Sequence, residues 1–246
     1  MAVDKPRPRR GNRLLAALPE HDFEKLSTHL IQQSVPKGHI LQRRDQPLRV
    51  VYFPDESLCW LTNATEDGST AQVAMVGQEG IVGVEAVFGS RIAMTDAFVH
   101  VSCENVGRSL SMDIFRREFE RQGAFYSLIH QYAASLMGFL SRSAMCNAWH
   151  TAEERCCRWL LEAAIRVGQP ELCVTHEVIS DLLGLRRSTV TLIVGRLSDA
   201  GVISTGRGVI HIENREALEA RSCNCYKLVT TVFKRLPATH AQFATN

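Results

Sequence analysis

Apolar positions in this chain change period more than once, and each change marks a new kind of element. Near the amino end, Leu14, Leu15, Leu18, Phe23, Leu26 and Leu30 recur at helical spacing, which predicts two short amphipathic helices on either side of Pro19. After Ile31 the period drops to two. Extended runs at 33–38, 39–42, 49–53, 57–61, 70–76, 97–103 and 106–112 are separated by turn residues, and Asp67-Gly68 between two of them is a hairpin signal. In the run 97–103, Val99, Val101 and Cys103 alternate with Phe98, His100 and Ser102. Eight or so short strands with glycine corners predict a small β-roll, a double-stranded arrangement. Asp113 stands where it would cap a short helix ending at Glu120.

The helical period returns at Ala124 and holds to about Asn147. Phe125, Ile129, Tyr132, Leu136, Phe139, Ser143 and Cys146 step by four and three, the spacing of a heptad seam, and predict a two-fold dimer through this helix. Leu128, Met137 and Leu140 fall off the seam and are expected to pack on the roll. Thr151-Ala152-Glu153-Glu154 reads as a capping box for a helix through Val167, with Trp159, Leu160 and Ala163 inward. Thr175 then caps a helix with Val178, Ile179, Leu182 and Leu183 on one face, stopped at Gly184. A second helix from about Arg186 to Ala200 carries Val190, Ile193, Val194 and Leu197 on one face. Its other face holds Ser188, Thr191, Leu192, Gly195 and Asp199. Apolar runs at 202–204 and 209–212 around Thr205-Gly206-Arg207-Gly208 predict a hairpin, and Asn214 caps a last helix over 215–221.

Two short helices hinged at a glycine, the second buried on one side, make a helix-turn-helix. Arg187 carries a fork of donors matched to the acceptor pair of guanine, while Ser188, Thr189 and Thr191 suit base edges or phosphates. Arg186 and the first-turn amides suit a phosphate. An exposed Leu192 gains nothing from water but would contact a thymine methyl. Arg207 at the hairpin tip suits another phosphate, and Thr175 and Arg196 complete the candidate contact set. Between Arg186 and Arg207 four arginines face one aspartate, in a chain whose net charge is only +2. Positive charge is concentrated where a polyanion would lie.

With 246 residues, two domains are expected. No apolar run approaches the roughly 18 residues of a membrane span, so no membrane partner and a cytoplasmic location are expected. The first eleven residues, MAVDKPRPRRG, are basic and lack hydrophobic periodicity, as a disordered arm would. Eight cysteines scattered from 59 to 225 do not make a secreted disulfide framework. Cys156-Cys157 and Cys223-Asn224-Cys225 are the metal or redox candidates, and His150 near Cys146 is able to complete a site with them. The spacing does not demand one, so structural thiols, no metal and no cofactor are expected.

Taken together these motifs resemble the Crp/Fnr family of transcription regulators over roughly Asn12 to Arg221. The resemblance implies an α+β chain: a cyclic-nucleotide-binding-like β-roll sensor (12–121) after the basic arm (1–11), a dimerisation helix (122–148), a winged helix-turn-helix (149–221) and a carboxy-terminal extension (222–246). It implies a homodimer reading a two-fold-symmetric operator in double-stranded DNA, with RNA polymerase and a small-molecule effector as further candidate partners, and no catalysis. Cyclic-nucleotide sensors of the family hold their ligand in a glycine-glutamate turn followed by an arginine-serine pair. Here Gly83 matches, Val84 replaces the ribose-binding glutamate, and Thr95 and Asp96 stand at the arginine-serine positions. Glu85 and Arg91 complete this candidate effector pocket, and Arg91 would serve a phosphate only if the loop were rebuilt. A phosphate would meet Asp96 instead of a cation, at a cost of several kcal/mol in a shielded pocket, so cAMP is not expected. The amino-terminal cysteine cluster of the iron–sulfur branch is missing, since the first cysteine is Cys59. Ser188 and Leu192 replace the glutamate and arginine common in the family's reading helix. The alternative is a metal- or thiol-dependent protein using the roll as a cupin-like barrel, for which the roll offers His39 and His100. The segment 227–236 is amphipathic and is expected to pack back on the reader.

Overall fold

A computed structural model describes residues 11–227 apart from 56, 69 and 103–105, with main chain alone at 101 and 102. The expectations for residues 1–10 and 228–246 lie outside the described residues.

The chain opens with α1 (Arg13–Ala16) and α2 (Glu20–Ser27). So short a helix as α1 holds because Asn12 caps it, accepting from the Leu14 and Leu15 amides, while its own amide group donates to the carbonyls of Pro54 and Gly80. Seven strands follow: β1 (Ile31–Ser34), β2 (Ile40–Gln42), β3 (Val50–Pro54), β4 (Ser57–Ala64), β5 (Thr70–Val76), β6 (Asp96–Ser102) and β7 (Val106–Ser111). They form two antiparallel sheets ordered β1-β7-β3 and β2-β6-β4-β5, the expected roll, and Asp67-Gly68 lies in the β4–β5 connection. The pleat divides the second sheet's side chains. Cys59 and Leu61 of β4, Ala74 and Val76 of β5, and Ala97 and Val99 of β6 point into the roll. Leu58, Trp60, Met75, Phe98 and His100 occupy the other face. That face is not solvated, because the carboxy-terminal half covers it.

Beyond the roll come α3 (Met112–Glu120), α4 (Ala124–Trp149) and α5 (Ala152–Val167). Ser111, not Asp113, caps α3, its hydroxyl accepting from the Ile114 amide. Thr151 and Glu154 form the reciprocal capping box of α5. The reader consists of α5 together with β8 (Glu171–Leu172), α6 (His176–Leu183), α7 (Arg187–Asp199), β9 (Ile203–Gly206), β10 (Val209–Ile212) and α8 (Arg215–Arg221), with a small sheet ordered β8-β10-β9.

The heptad seam proposed for α4 needs correction. Phe125, Ile129, Tyr132, Leu136, Phe139 and Cys146 are buried within this one chain, the first five in the roll's core, and Ser143 is half-buried beside them. Tyr132 passes so close to Gly80 that a Cβ there would collide with its ring, and its hydroxyl donates to the Ile81 carbonyl. The stripe is apolar because α4 docks on its own domain, the commoner reason for such a stripe. The face left open lies two residues along, about 200° around the helix. Ser127, Gln131, Ala134, Gly138, Ser141, Met145 and Ala148 are all exposed, again stepping by four and three.

Besides the packing of α6 on β5, two side-chain links fasten the reader to the roll. The Trp159 indole donates to Gln72 at 2.8 Å and meets Trp60 edge-on at 6.2 Å, while Trp60 stacks on His100 at 3.2 Å. Deeper in, the Arg166 guanidinium pairs with Glu79 at 2.9 Å and lies 5.4 Å over the Phe139 ring.

Candidate nucleic-acid interface

Thr175 spends its hydroxyl on the Val178 amide, starting α6, and Gly184 ends that helix in the left-handed conformation at φ +60°. The chain re-enters a helix at once. Arg186 is the residue before α7, and Val190, Ile193, Val194 and Leu197 bury one side of it against α6 and α5. Packing on that side fixes which residues remain outside: Arg187, Ser188, Thr191, Leu192, Gly195 and Arg196 are exposed, with Thr189 half-buried. Leu192 is 63% exposed, a large apolar side chain left in water in the middle of the face.

The β9–β10 hairpin closes through Arg207-Gly208, since Gly206 pairs with Val209, and Gly208 takes φ +72°, the left-handed conformation that glycine adopts at the second central position of a type II turn. Arg207 therefore stands at an exposed tip. A shallow cleft runs between this tip and the amino end of α7, lined by Thr175, His176, Arg187, Thr205 and Gly206. Among the described residues Arg186, Arg187 and Arg207 have no carboxylate partner, so their charge faces outward. Arg196 differs: Glu153 of α5 lies 3.6 Å away.

Two candidate contacts are thus already engaged, Thr175 as a helix cap and Arg196 in an ion pair. Thr191 is a third, its hydroxyl lying 3.2 Å from His176 Nδ1. Residues fifteen apart in sequence gave no signal of that contact, although a histidine directly after a capping threonine is well placed to reach a neighbouring helix.

Glu85 and Thr95 of the candidate effector pocket are both hydrogen-bonded to Gln42. Gly83 turns at φ +94° into a short 3-10 helix, Val84–Phe88, which carries Glu85 inward. The Glu85 carboxylate accepts from Gln42 Nε2 at 3.1 Å and from the Met94 amide at 3.0 Å, while Gln42 also donates to the Thr95 carbonyl and hydroxyl. Asp96 accepts from the Arg44 amide, Val84 is half-buried, and Arg91 is exposed. Gln42 was the residue that sequence reasoning missed here. For the cupin alternative, His100 is sealed under Trp60, and burial, then Lys37, push its pKa down to about 3. His39 is exposed.

Of the cysteines, Cys156 and Cys157 lie in the reader's core, where burial raises both thiols, Cys157 to about 12. Cys146, Cys223 and Cys225 instead gather with His150 at the joint between α4 and α5. A hydrogen bond shared by Cys146 and Cys223 raises the former thiol and lowers the latter.

A β-roll joined by a long helix to a winged helix-turn-helix with an outward basic face defines a DNA-binding regulator. Residues 154–221 match the Crp-like helix-turn-helix domain. The transcriptional regulator SdrP of Thermus thermophilus is 26% identical over 181 residues, 72% of this chain and 83% of SdrP. FixK2 from Bradyrhizobium japonicum shares the fold at a TM-score of 0.68 and 18% identity, covering 79% of this chain and 98% of FixK2. A regulator assigned to the Crp/Fnr family from Eubacterium rectale does so at 0.66 and 17%, covering 85% and 97%. The chain thus carries a Crp-like helix-turn-helix domain, is similar in sequence to a curated transcriptional regulator, and shares the fold of solved Crp/Fnr regulators.

Proposed function

We propose that α7 enters the major groove with Arg187 on a guanine, Leu192 on a thymine methyl, and Ser188 and Thr189 on base edges or backbone, while Arg186 and Arg207 hold phosphates on either side. The observation that carries this reading is the pairing of three carboxylate-free arginines with an exposed leucine on a helix whose other side is fixed by packing. Thr175, Thr191 and Arg196 act chiefly by shaping the reader. Two copies pair through the open face of α4, where Ala134, Gly138, Ser141 and Ala148 let the helix backbones come close and Met145 fills the seam. Pairing would present two reading helices to successive grooves, about one DNA turn apart. The roll is a sensor whose nucleotide cassette sets Thr95 and Asp96 at the arginine-serine positions, so its signal is not cAMP.

A gel-shift titration with fragmented double-stranded DNA over a salt series tests the reading. A tight subset of fragments and a steep loss of affinity with salt are expected. Arg187→Ala should weaken the tight subset by about 1–3 kcal/mol while leaving weak, sequence-independent binding in place. Uniform binding to every fragment, unmoved by that substitution, would overturn it.

A further inference from the structure

Four side chains from two distant stretches converge where the long helix gives way to the reader. Cys146 closes the last turns of α4, His150 is the extended residue that ends it, and Cys223 and Cys225 follow α8. Cys146 Sγ lies 3.4 Å from Cys223 Sγ, Cys225 Sγ lies 3.7 Å from His150 Nδ1, and all four donor atoms fall within 4.8 Å of one another. The three thiols are free and buried, and the histidine is half-buried.

From this convergence we infer that the chain binds one zinc ion, or a borderline-soft divalent cation like it, through Cys146, His150, Cys223 and Cys225. A tetrahedron drawn with zinc–sulfur bonds of about 2.3 Å has edges of about 3.8 Å, so the observed separations need only small side-chain movements. Four protein ligands leave no open position, which makes this a structural site and not a catalytic one. A two-iron cluster would set its ligand pairs on separate metals and spread them further apart. Arg158 completes the surroundings: its charge acts on all three thiols, and its buried Nε–H has no acceptor among the described residues. Metal-bound thiolates commonly take such an outer donor. The ion would tie the segment after α8 to the end of α4 and so fix the angle at which the reader leaves the long helix.

The sequence offered Cys-x-Cys and His150 near Cys146 as separate weak signals, which the fold joins across 77 residues. The inference does not depend on the DNA reading, and its test uses metal alone. The full chain, reduced and stripped with a chelator, is titrated with Co2+ and then Zn2+. Saturation at one ion per chain is expected, with sulfur-to-cobalt charge-transfer absorption and the intense visible bands of a tetrahedral ion, both lost when Zn2+ displaces cobalt. Cys223→Ser/Cys225→Ser should abolish that spectrum, His150→Ala should weaken binding at least about tenfold, and Cys173→Ser, at an exposed thiol elsewhere, should change nothing. Circular dichroism confirms folding of each variant, and the wild-type titration stands without them. A wild-type chain that gives no charge-transfer band, that keeps binding in the double variant, or that carries iron and sulfide in place of a single ion would overturn the inference.

Discussion

Arg166 is the deepest bond between reader and roll, and its loss should be expensive in a way that its partner's loss can repair. The side chain is 4% exposed and pairs with Glu79, 7% exposed, at 2.9 Å; its Nη1 also lies 3.6 Å from Glu162, which holds a second partner in Arg158 at 2.8 Å. Two arginines thus balance two carboxylates out of water. Arg166→Met keeps the length of the side chain and removes one cation. Glu162 retains Arg158, but among the described residues Glu79 is left with the Gly77 amide as its hydrogen-bond donor. Stranding a buried charge in this way costs about 3–5 kcal/mol. Adding Glu79→Gln neutralises the stranded carboxylate and preserves an oxygen for the Gly77 amide, so the double variant should recover at least about 1 kcal/mol relative to the sum of the single changes. Urea unfolding followed by circular dichroism measures all four proteins of the cycle. If Arg166→Met lay within about 1 kcal/mol of wild type, or the two changes simply added, the ion pair would not be holding the joint.

Other outcomes follow from the same structure. Arg207→Ala should lower affinity evenly across DNA sequences and reduce the slope of log affinity against log salt by about one, in contrast to the sequence-selective loss at Arg187. Gly138→Glu, on the open face of α4 where a Cβ meets nothing within 4 Å, should leave the fold intact and turn dimer into monomer in sedimentation equilibrium; an unchanged dimer would move the interface elsewhere. His100 has a folded pKa of about 3 against an ordinary 6.5, so the unfolded chain takes up the proton first as pH falls. Its contribution is complete above about 6.5 and drains away below it, so the stability slope between pH 7.5 and 5.5 should flatten in His100→Phe.

The roll, the capping box at Thr151, the two reader helices and the hairpin were all legible in sequence because their signals are local: a period, a cap, a glycine at a turn. Long-range packing was not. The α4 stripe looks like a dimer seam because a helix docked on its own domain and one docked on a twin bury the same kind of stripe; burial of Phe125, Ile129, Leu136 and Phe139 in the roll's core, with Tyr132 beside Gly80, tells them apart. The alternation along β6 set His100 on the face opposite Val99 without saying which face is inward; the pleat sends it outward, and what covers it is a domain more than fifty residues later. The reading helix's exposed face was legible down to Leu192, whereas the contact of His176 with Thr191 and the intrusion of Gln42 on Glu85 are side-chain meetings with no periodic trace.

The aromatic stack at the joint has an optical consequence. Trp60 belongs to the roll and Trp159 to the reader's first helix, 6.2 Å apart and both buried. Any swing of one body against the other would wet at least one of these indoles, so the chain carries a native fluorophore at its own articulation. Candidate signals for the roll can therefore be screened by red-shifted emission from unlabelled protein, with solvent-facing Trp149 replaced by phenylalanine to remove its background.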